Sequence, residues 1–296
     1  MNGRVDFHVH SDRSCDGDFS PAQLVGFARE KGFRAISIAD HDTVAAYPEA
    51  VELGRTAGVE VIPSIELTTL YDGREFHLLL PFVDWESPVL SDLIDRQERC
   101  RTEEARERVE KLRKLGLDIT WDEVREKANG TPPLGVKIAQ VLLDKPGNER
   151  NPVLEFFYRT ENRAAAPYLF YREFFTDGKP AFVPKRFIGL LDVLAETPAT
   201  GGAPVLSHPG ASFQQTTRAD ARELRKHGLA GLEVYTSYHA ADQVRLYRGM
   251  AEDFDLVPTA GSDFHGRIKP HVAFGELEEG AYWMVERLRD RKGGRV

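Results

Sequence analysis

Apolar positions come in short runs that alternate with longer amphipathic stretches. Residues 5–9 read as a strand. Ser20-Pro21 opens a helix, with serine as N-cap and proline at the first helical position, and Gly32 stops it. Residues 35–39 form a second strand, 47–57 a helix ended by Gly58, and 59–66 a third strand. Later the same rhythm gives helix 188–194, strand 203–207, helix 220–227, a strand within 229–235, helix 243–253 and strand 256–261. Such alternation predicts parallel β/α units. In these, chemistry collects at the C-terminal ends of the strands.

Between the two runs, residues 88–180 break the rhythm. Residues 97–115 form a helix dense in Arg and Glu, with Leu112 and Leu115 among its few apolar anchors. Its charges are expected on a solvated face with i,i+4 pairs. Pro132-Pro133 interrupts, and 134–143 suits a short amphipathic helix. Phe156, Phe157, Tyr158, Tyr168, Phe170, Tyr171, Phe174 and Phe175 follow. These aromatics read first as the small core of a helical insertion, with a base-stacking surface as the alternative.

Composition narrows the class. The 296 residues suffice for one large α/β barrel or two smaller domains. A formal net charge of −8 does not favour an extended nucleic-acid grip, though a local basic pocket stays open. No apolar run approaches the length of a membrane span. Met1 is followed almost at once by the first strand, so no signal peptide is expected. Cys15 and Cys100 cannot make a disulfide framework and fit a reducing cytoplasm, the expected location.

Six of the nine histidines sit in five short motifs: His8-Val9-His10, Asp40-His41-Asp42, His77, His208-Pro209-Gly210 and Asp263-Phe264-His265. Asp16 and Glu66 extend the set. Imidazole and carboxylate together suit zinc, manganese or iron, which activate water for hydrolysis. A core histidine with one hydrogen bond explains any single member but not six. Residues i and i+2 of a strand face one side, so His8 and His10 can share an ion, and Asp263 with His265 has the same spacing. A carboxylate such as Glu66, from another strand end, can bridge two cations. Each pair alone is a weak signal; together at strand ends they are a strong one.

In this order the motifs resemble the PHP (polymerase and histidinol phosphatase) superfamily of metal-dependent phosphoesterases, in its stand-alone form with a helical insertion. The matching segments are His8-Val9-His10-Ser11 through Cys15-Asp16-Gly17, Ile38-Ala39-Asp40-His41-Asp42, Ile65-Glu66, Phe76-His77, Leu206-Ser207-His208-Pro209 and Gly261-Ser262-Asp263-Phe264-His265-Gly266. The resemblance implies an α/β fold, a distorted, TIM-like (β/α)7 barrel built from 1–87 and 181–296. The insertion, 88–180, would cover the active site. It also implies three divalent metals (Mn, Fe or Zn). His8, His10, Glu66 and Asp263 would hold the first. Glu66, His77 and His208 would hold the second, and Asp16, His41 and His265 the third. Asp40 would orient a ligand. A metal-bridging hydroxide would attack phosphorus.

Other positions carry expectations of their own. His239, just past a strand, is either a general acid or substrate contact, or a loop residue. His227 reads as a surface residue and His271 as a loop residue of open role. Cys15 stands where the family commonly has serine and would shape the Asp16 turn. Relatives of this form often hold a phosphate with Gly-Arg-Pro-His in the insertion; here the segment is Thr131-Pro132-Pro133-Leu134-Gly135-Val136-Lys137. Lys137 replaces that arginine only in part, because lysine lacks the bidentate fork. Lys185, Arg186, Arg267 and Lys269 are further basic candidates for a non-scissile phosphate. Leu78-Leu79-Leu80-Pro81 also departs from the glycine found in relatives, which stiffens the loop after His77. The expected substrate is a phosphomonoester of a small metabolite, a nucleotide first. The alternatives are 5′-3′ exonuclease action on short RNA, histidinol phosphate phosphatase activity, and a non-catalytic metal-binding module.

Overall fold

The computed structural model describes residues 3–14, 16–128, 132–277 and 279–294. The reading of Cys15 lies outside them. The chain divides into two compact units, Met1–Ile94 with Ile188–Val296, and Asp95–Phe187.

The first unit begins with β1 (Arg4–Val9), α1 (Pro21–Glu30), β2 (Phe33–Ile38), α2 (Glu49–Ala57) and β3 (Glu60–Val61). The start of α1 is a full capping box: Ser20 accepts from the Gln23 N–H and the Gln23 side chain reaches back to the Ser20 backbone. Gly58, at φ 74°, closes α2 in the left-handed region.

The strand expected over 59–66 is shorter than the pattern suggested. β3 stops at Val61, and Glu66 instead opens β4 (Glu66–Tyr71), which pairs antiparallel with β5 (Arg74–Leu79). Pro63 has no N–H for a ladder, so it divides the apolar run. The turn between β4 and β5 is Asp72-Gly73, both at positive φ (49° and 71°), the geometry that lets a two-residue hairpin follow the strand twist. That dipeptide was the available sequence signal for the hairpin.

The helical stretch follows as α3 (Pro88–Lys114), α4 (Trp121–Ala128), α5 (Gly135–Asp144), α6 (Glu155–Tyr158) and α7 (Ala166–Phe174). The charged helix is longer than the expected 97–115 because Leu90 and Leu93, both buried, extend its apolar stripe toward the N-terminus. Within the second unit, Val109, Leu112, Ile138, Leu142 and Phe157 share a core with Phe170, Phe174 and Phe175. Phe170 and Phe174 stack with centroids 4.1 Å apart. Most of the aromatic run is thus core, while Phe156 and Tyr168 stay exposed. The charges of α3 do pair at i,i+4, as in Glu104–Arg108 at 2.7 Å. That pair is nevertheless buried, with the guanidinium over the Phe175 ring.

The first unit then resumes with β6 (Ile188–Gly189), α8 (Leu190–Thr200), β7 (Val205–Leu206), α9 (Arg218–Lys226), β8 (Gly231–Thr236), α10 (Ala241–Asp253), β9 (Val257–Gly261) and α11 (Trp283–Asp290). Ile188 and Gly189 are strand rather than helix because they pair with Thr69 and Leu70 of β4, respectively. β1, β2 and β3 form a parallel three-stranded sheet. The second sheet runs β6-β4-β5-β7-β8-β9. Its β4–β6, β7–β8 and β8–β9 pairs are parallel, and only the two contacts of β5 are antiparallel. Single parallel bridges join the sheets at two places, Val9 to Phe264 and His41 to Glu66. The protein is therefore an α/β fold with parallel sheets. Among the described residues no helix is long and apolar enough to cross a membrane.

Candidate metal centre

The two inter-sheet bridges are also where the histidines meet. β1 delivers His8, and His10 follows it on the same side; both are fully buried. Asp263 and His265 lie past the end of β9, in a segment held to β1 by two backbone bonds: Asp263 N–H to His8 O (2.8 Å) and His10 N–H to Phe264 O (2.9 Å). Asp263 has φ 58° and His208 φ 24°, a left-handed backbone that non-glycine residues adopt at a cost. Both occupy it where their side chains turn into the cluster. Gly261 is required for a different reason. A Cβ there would stand 2.0 Å from Glu233 Oε1 and 2.4 Å from His8 Cβ.

Glu66 stands at the middle. Its Oε2 is 3.1 Å from His8 Nε2, 3.3 Å from His10 Nε2 and 3.2 Å from His41 Nδ1. Its Oε1 is 3.0 Å from His77 Nδ1 and 3.1 Å from His208 Nε2, and it accepts from Ser207 Oγ at 3.0 Å. Five imidazoles thus surround one buried carboxylate. Asp263 Oδ1 closes the set against His8 Nε2 (3.4 Å), His10 Nε2 (3.2 Å) and His265 Nδ1 (3.4 Å). Asp16 Oδ2 reaches His41 Nε2 (3.5 Å) and His265 Nε2 (3.3 Å).

Donor atoms able to share an ion, all within 4.8 Å of one another, fall into three groups. The first is His8, His10, Glu66 and Asp263. The second is His41, Glu66 and His77. The third is His10, Asp16, His41 and His265. Compared with the expected sets, His41 takes the place of His208 beside Glu66 and His77, and His10 joins the third. His208 still shares Glu66 Oε1 with His77.

The residues fit divalent cations by two observations. His8 Nε2, both nitrogens of His10, His41 Nδ1, His208 Nδ1, His265 Nε2 and Glu66 Oε2 are buried without a hydrogen-bond partner among the described residues. Each such atom costs roughly 1–3 kcal/mol if nothing satisfies it. Glu66 Oε2 nonetheless lies 3.1–3.3 Å from His8 Nε2, His10 Nε2 and His41 Nδ1, close but not aligned as hydrogen bonds. Ligands held by one ion at about 2.0–2.2 Å stand roughly 3.0–3.5 Å apart, so the spacing is that of a shared coordination shell.

Without a cation, protons answer the negative charge. Burial opposes protonation of His8 most, yet Glu66, Glu233 and Asp263 hold its pKa well above the ordinary imidazole value. Burial likewise opposes, and carboxylates override, at His10 and His77, each lifted to about 9. At His41 burial wins and the value falls to about 3. Burial works against ionisation of Asp16, Glu66 and Asp263, but the surrounding imidazoles keep all three below the usual carboxylate range.

Further residues hold these donors in place. Asp40 Oδ1 and Oδ2 accept from Ser11 N–H and Oγ, both at 2.6 Å, fixing the chain after His10. Burial pushes its carboxyl up to about 6. Glu75 lies 3.0 Å from His77 Nε2. Glu75 and two further acids escaped the sequence reading. Asp6 accepts from His8 N–H and from Ser262 N–H and Oγ, tying β1 to the Asp263 segment. Glu233 bonds His8 Nδ1 and the His208 N–H. The signal for Glu233 was a single acid inside the apolar strand Gly231-Leu232-Glu233-Val234-Tyr235.

His239 is engaged elsewhere. Its Nδ1 donates to Val234 O at 2.8 Å, its Nε2 accepts from Gly210 N–H at 2.9 Å, and its ring stacks on Tyr247. Burial lowers its pKa and favours this neutral form. With both nitrogens on main-chain groups, it secures the turn after His208 and offers none to a substrate. Among the phosphate candidates, Arg267 is bound to Asp18 through its N–H (2.5 Å) and guanidinium (3.2 Å). Arg186 pairs with Glu107 at 2.7 Å. Lys137 sits half-buried on α5 and Lys185 is exposed; these two and Arg186 belong to the second unit. His227 is exposed beside Glu223 and His271 is exposed. Phe213 and Tyr238 were not foreseen. Phe213, 42% exposed, has its ring 5.1 Å from His77 and 5.5 Å from His208. The Tyr238 ring lies 4.9 Å from His208.

Residues 6–116 match the family model of the PHP domain. The chain is 27% identical over 268 residues to a 5′-3′ exoribonuclease of Haemophilus influenzae, covering 90% of this chain and 91% of the relative. It is 29% identical over 275 residues to a phosphoribosyl 1,2-cyclic phosphate 1,2-diphosphodiesterase of Eggerthella lenta, covering 91% and 97%. Among solved structures, a Bifidobacterium adolescentis protein assigned to the metal-dependent phosphoesterases superposes with a TM-score of 0.73 at 26% identity, over 97% of this chain and 96% of that one. Over residues 6–116 the chain thus resembles the PHP domain, and along nearly its whole length it is similar to the relatives named above.

Proposed function

We propose that the protein is a hydrolase, a metal-dependent phosphoesterase that cleaves the phosphomonoester of a small metabolite, a nucleotide first. The observation that carries this is Glu66, one buried carboxylate whose two oxygens face five imidazoles. Manganese, iron or zinc suits such donors. His8, His10, Glu66 and Asp263 would hold one ion; Glu66 and His77, with His41 or His208, a second; Asp16, His41 and His265, with His10, a third. Divalent ions there supply water activation near neutral pH and stabilise charge on phosphoryl oxygens.

The protein's own residues do the positioning. Glu233, Asp6 and Asp40 lock the imidazoles and their strands, so little reorganisation is left for the reaction. The exposed ring of Phe213 beside His77 and His208 offers a flat apolar wall to the leaving group, which suits a nucleobase more than an aliphatic chain. The named substrates of both relatives contain ribose phosphates, RNA in one case and a phosphoribosyl cyclic phosphate in the other. We read the two sheets as a distorted (β/α)7 barrel, a reading supported by the bridges at Val9–Phe264 and His41–Glu66.

A second reading, 5′-3′ exonuclease action on short RNA, is favoured by the Haemophilus relative. One experiment separates the two. Protein stripped with chelator and reloaded with Mn, Fe or Zn is offered nucleoside monophosphates and bisphosphates, histidinol phosphate and 5′-phosphorylated oligoribonucleotides. Phosphate release from the free nucleotides supports the first reading, and stepwise mononucleotide release from oligomers the second. Undiminished hydrolysis by a stripped His8→Ala/Asp263→Ala variant rejects both.

A further inference from the structure

Asp263 uses its two oxygens differently. Oδ1 faces the three imidazole nitrogens of His8, His10 and His265. Oδ2 lies 2.5 Å from the ammonium of Lys269. The same ammonium donates to Tyr238 Oη at 3.0 Å. The Tyr238 ring lies 4.9 Å from His208, so Lys269 and Tyr238 together link Asp263 with His208. Lys269 is itself held. It follows the turn Gly266–Ile268, its N–H bonds Gly266 O, and Asp18 pins Arg267 two residues earlier.

A carboxylate free to rotate can give a cation one oxygen or two. Here a cation and a phenol on a pinned turn hold one oxygen, leaving the other to the imidazoles. We propose that Lys269, steadied by Tyr238, is a positioning residue that restricts Asp263 to single-oxygen coordination of the ion shared with His8 and His10. This rests on the metal-centre reading above. Lys269 therefore acts on the centre's coordination number without contacting the ion. An uncharged residue there leaves Asp263 free to rotate, and loss of such a supporting contact typically weakens metal binding by roughly 10–100-fold.

Cobalt(II) is a suitable probe, because the intensity of its visible bands reports coordination number without turnover. The purified protein is stripped, titrated with cobalt(II), and compared with Lys269→Met, Lys269→Arg and Tyr238→Phe. The expected result is a roughly tenfold or larger rise in the cobalt dissociation constant for Lys269→Met, with altered band intensity. Lys269→Arg should restore the intensity in part, and Tyr238→Phe should shift it in the same direction by less. A support of the fold alone would lower the melting temperature and leave the spectrum unchanged. Wild-type affinity and spectrum in Lys269→Met overturn the proposal, whatever its melting temperature. Should Lys269→Met not fold, an unchanged spectrum in Tyr238→Phe overturns it. Wild-type protein that takes up no cobalt overturns the metal reading and this proposal together, whereas cobalt uptake with an indifferent Lys269→Met overturns this proposal alone.

Discussion

Glu233 Oε1 lies 3.1 Å from His8 Nδ1, the ring nitrogen opposite the one that faces Glu66. The imidazole is therefore gripped at both ends, and its orientation is fixed before any cation arrives. Glu233→Gln keeps the volume but removes the charge that draws the His8 Nδ1 proton. Metal affinity should fall roughly 10–100-fold with little change in melting temperature. Metal content after dialysis against limiting manganese checks this, and full retention would count against it.

Glu66 admits no such gentle outcome. Glu66→Gln replaces one oxygen by an amide that cannot serve a cation, and all five imidazoles lose part of their common partner. Phosphate release should drop at least about 100-fold, as should that of wild-type protein after chelation. Readdition of metal should restore the wild type and not the variant.

Gly261→Ala tests the close approach of β9 to β1. The added methyl would meet Glu233 Oε1 and His8 Cβ well inside van der Waals contact. Overpacking of this kind costs about 1–3 kcal/mol or more, so the melting temperature should fall together with metal affinity. A variant as stable as the wild type, with unchanged metal content, would contradict the packing described.

Asp220 gives a pH dependence remote from the histidines. It caps α9 through Thr217 and receives Arg74 Nη2 at 2.6 Å. Burial opposes its ionisation, but Arg74 and Thr217 prevail and hold it below the ordinary carboxylate value of 3.8. A depressed folded pKa means stabilisation that is complete above 3.8 and lost as pH falls below it. Asp220→Asn should cost about 1 kcal/mol at pH 7, and the gap should narrow as pH falls below 3.8. Parallel melting curves at several pH values decide the matter.

The candidate donors were legible in the sequence because ligation would demand particular side chains at particular spacings. His8 and His10 declare themselves as an i,i+2 pair, and Asp263 with His265 as another. The surroundings of Glu66 were less legible. Its place at a strand start depends on Pro63 breaking one run and Asp72-Gly73 turning the next, two local signals that an apolar count overrides. Lys269 was singled out as a phosphate candidate, but its contacts with Asp263 and Tyr238 could not be found by pattern. Lysine after a turn is ordinary, and its meaning comes from a contact across 31 residues of chain. His239 shows the converse: its sequence position suits catalysis, and two main-chain bonds give it another task.

The bridge between Val9 and Phe264 has a consequence for the order of assembly. Glu66 and His77 come together within one hairpin, so chain entropy opposes their meeting only weakly. His8 and Asp263 must close a loop of more than 250 residues, the kind of contact that forms late and slowly. A ribosome-bound chain that has not yet released β9 presents an incomplete donor set. Tight cation capture by the first group is thus deferred until the last strand docks, which makes metal uptake a marker of completed folding.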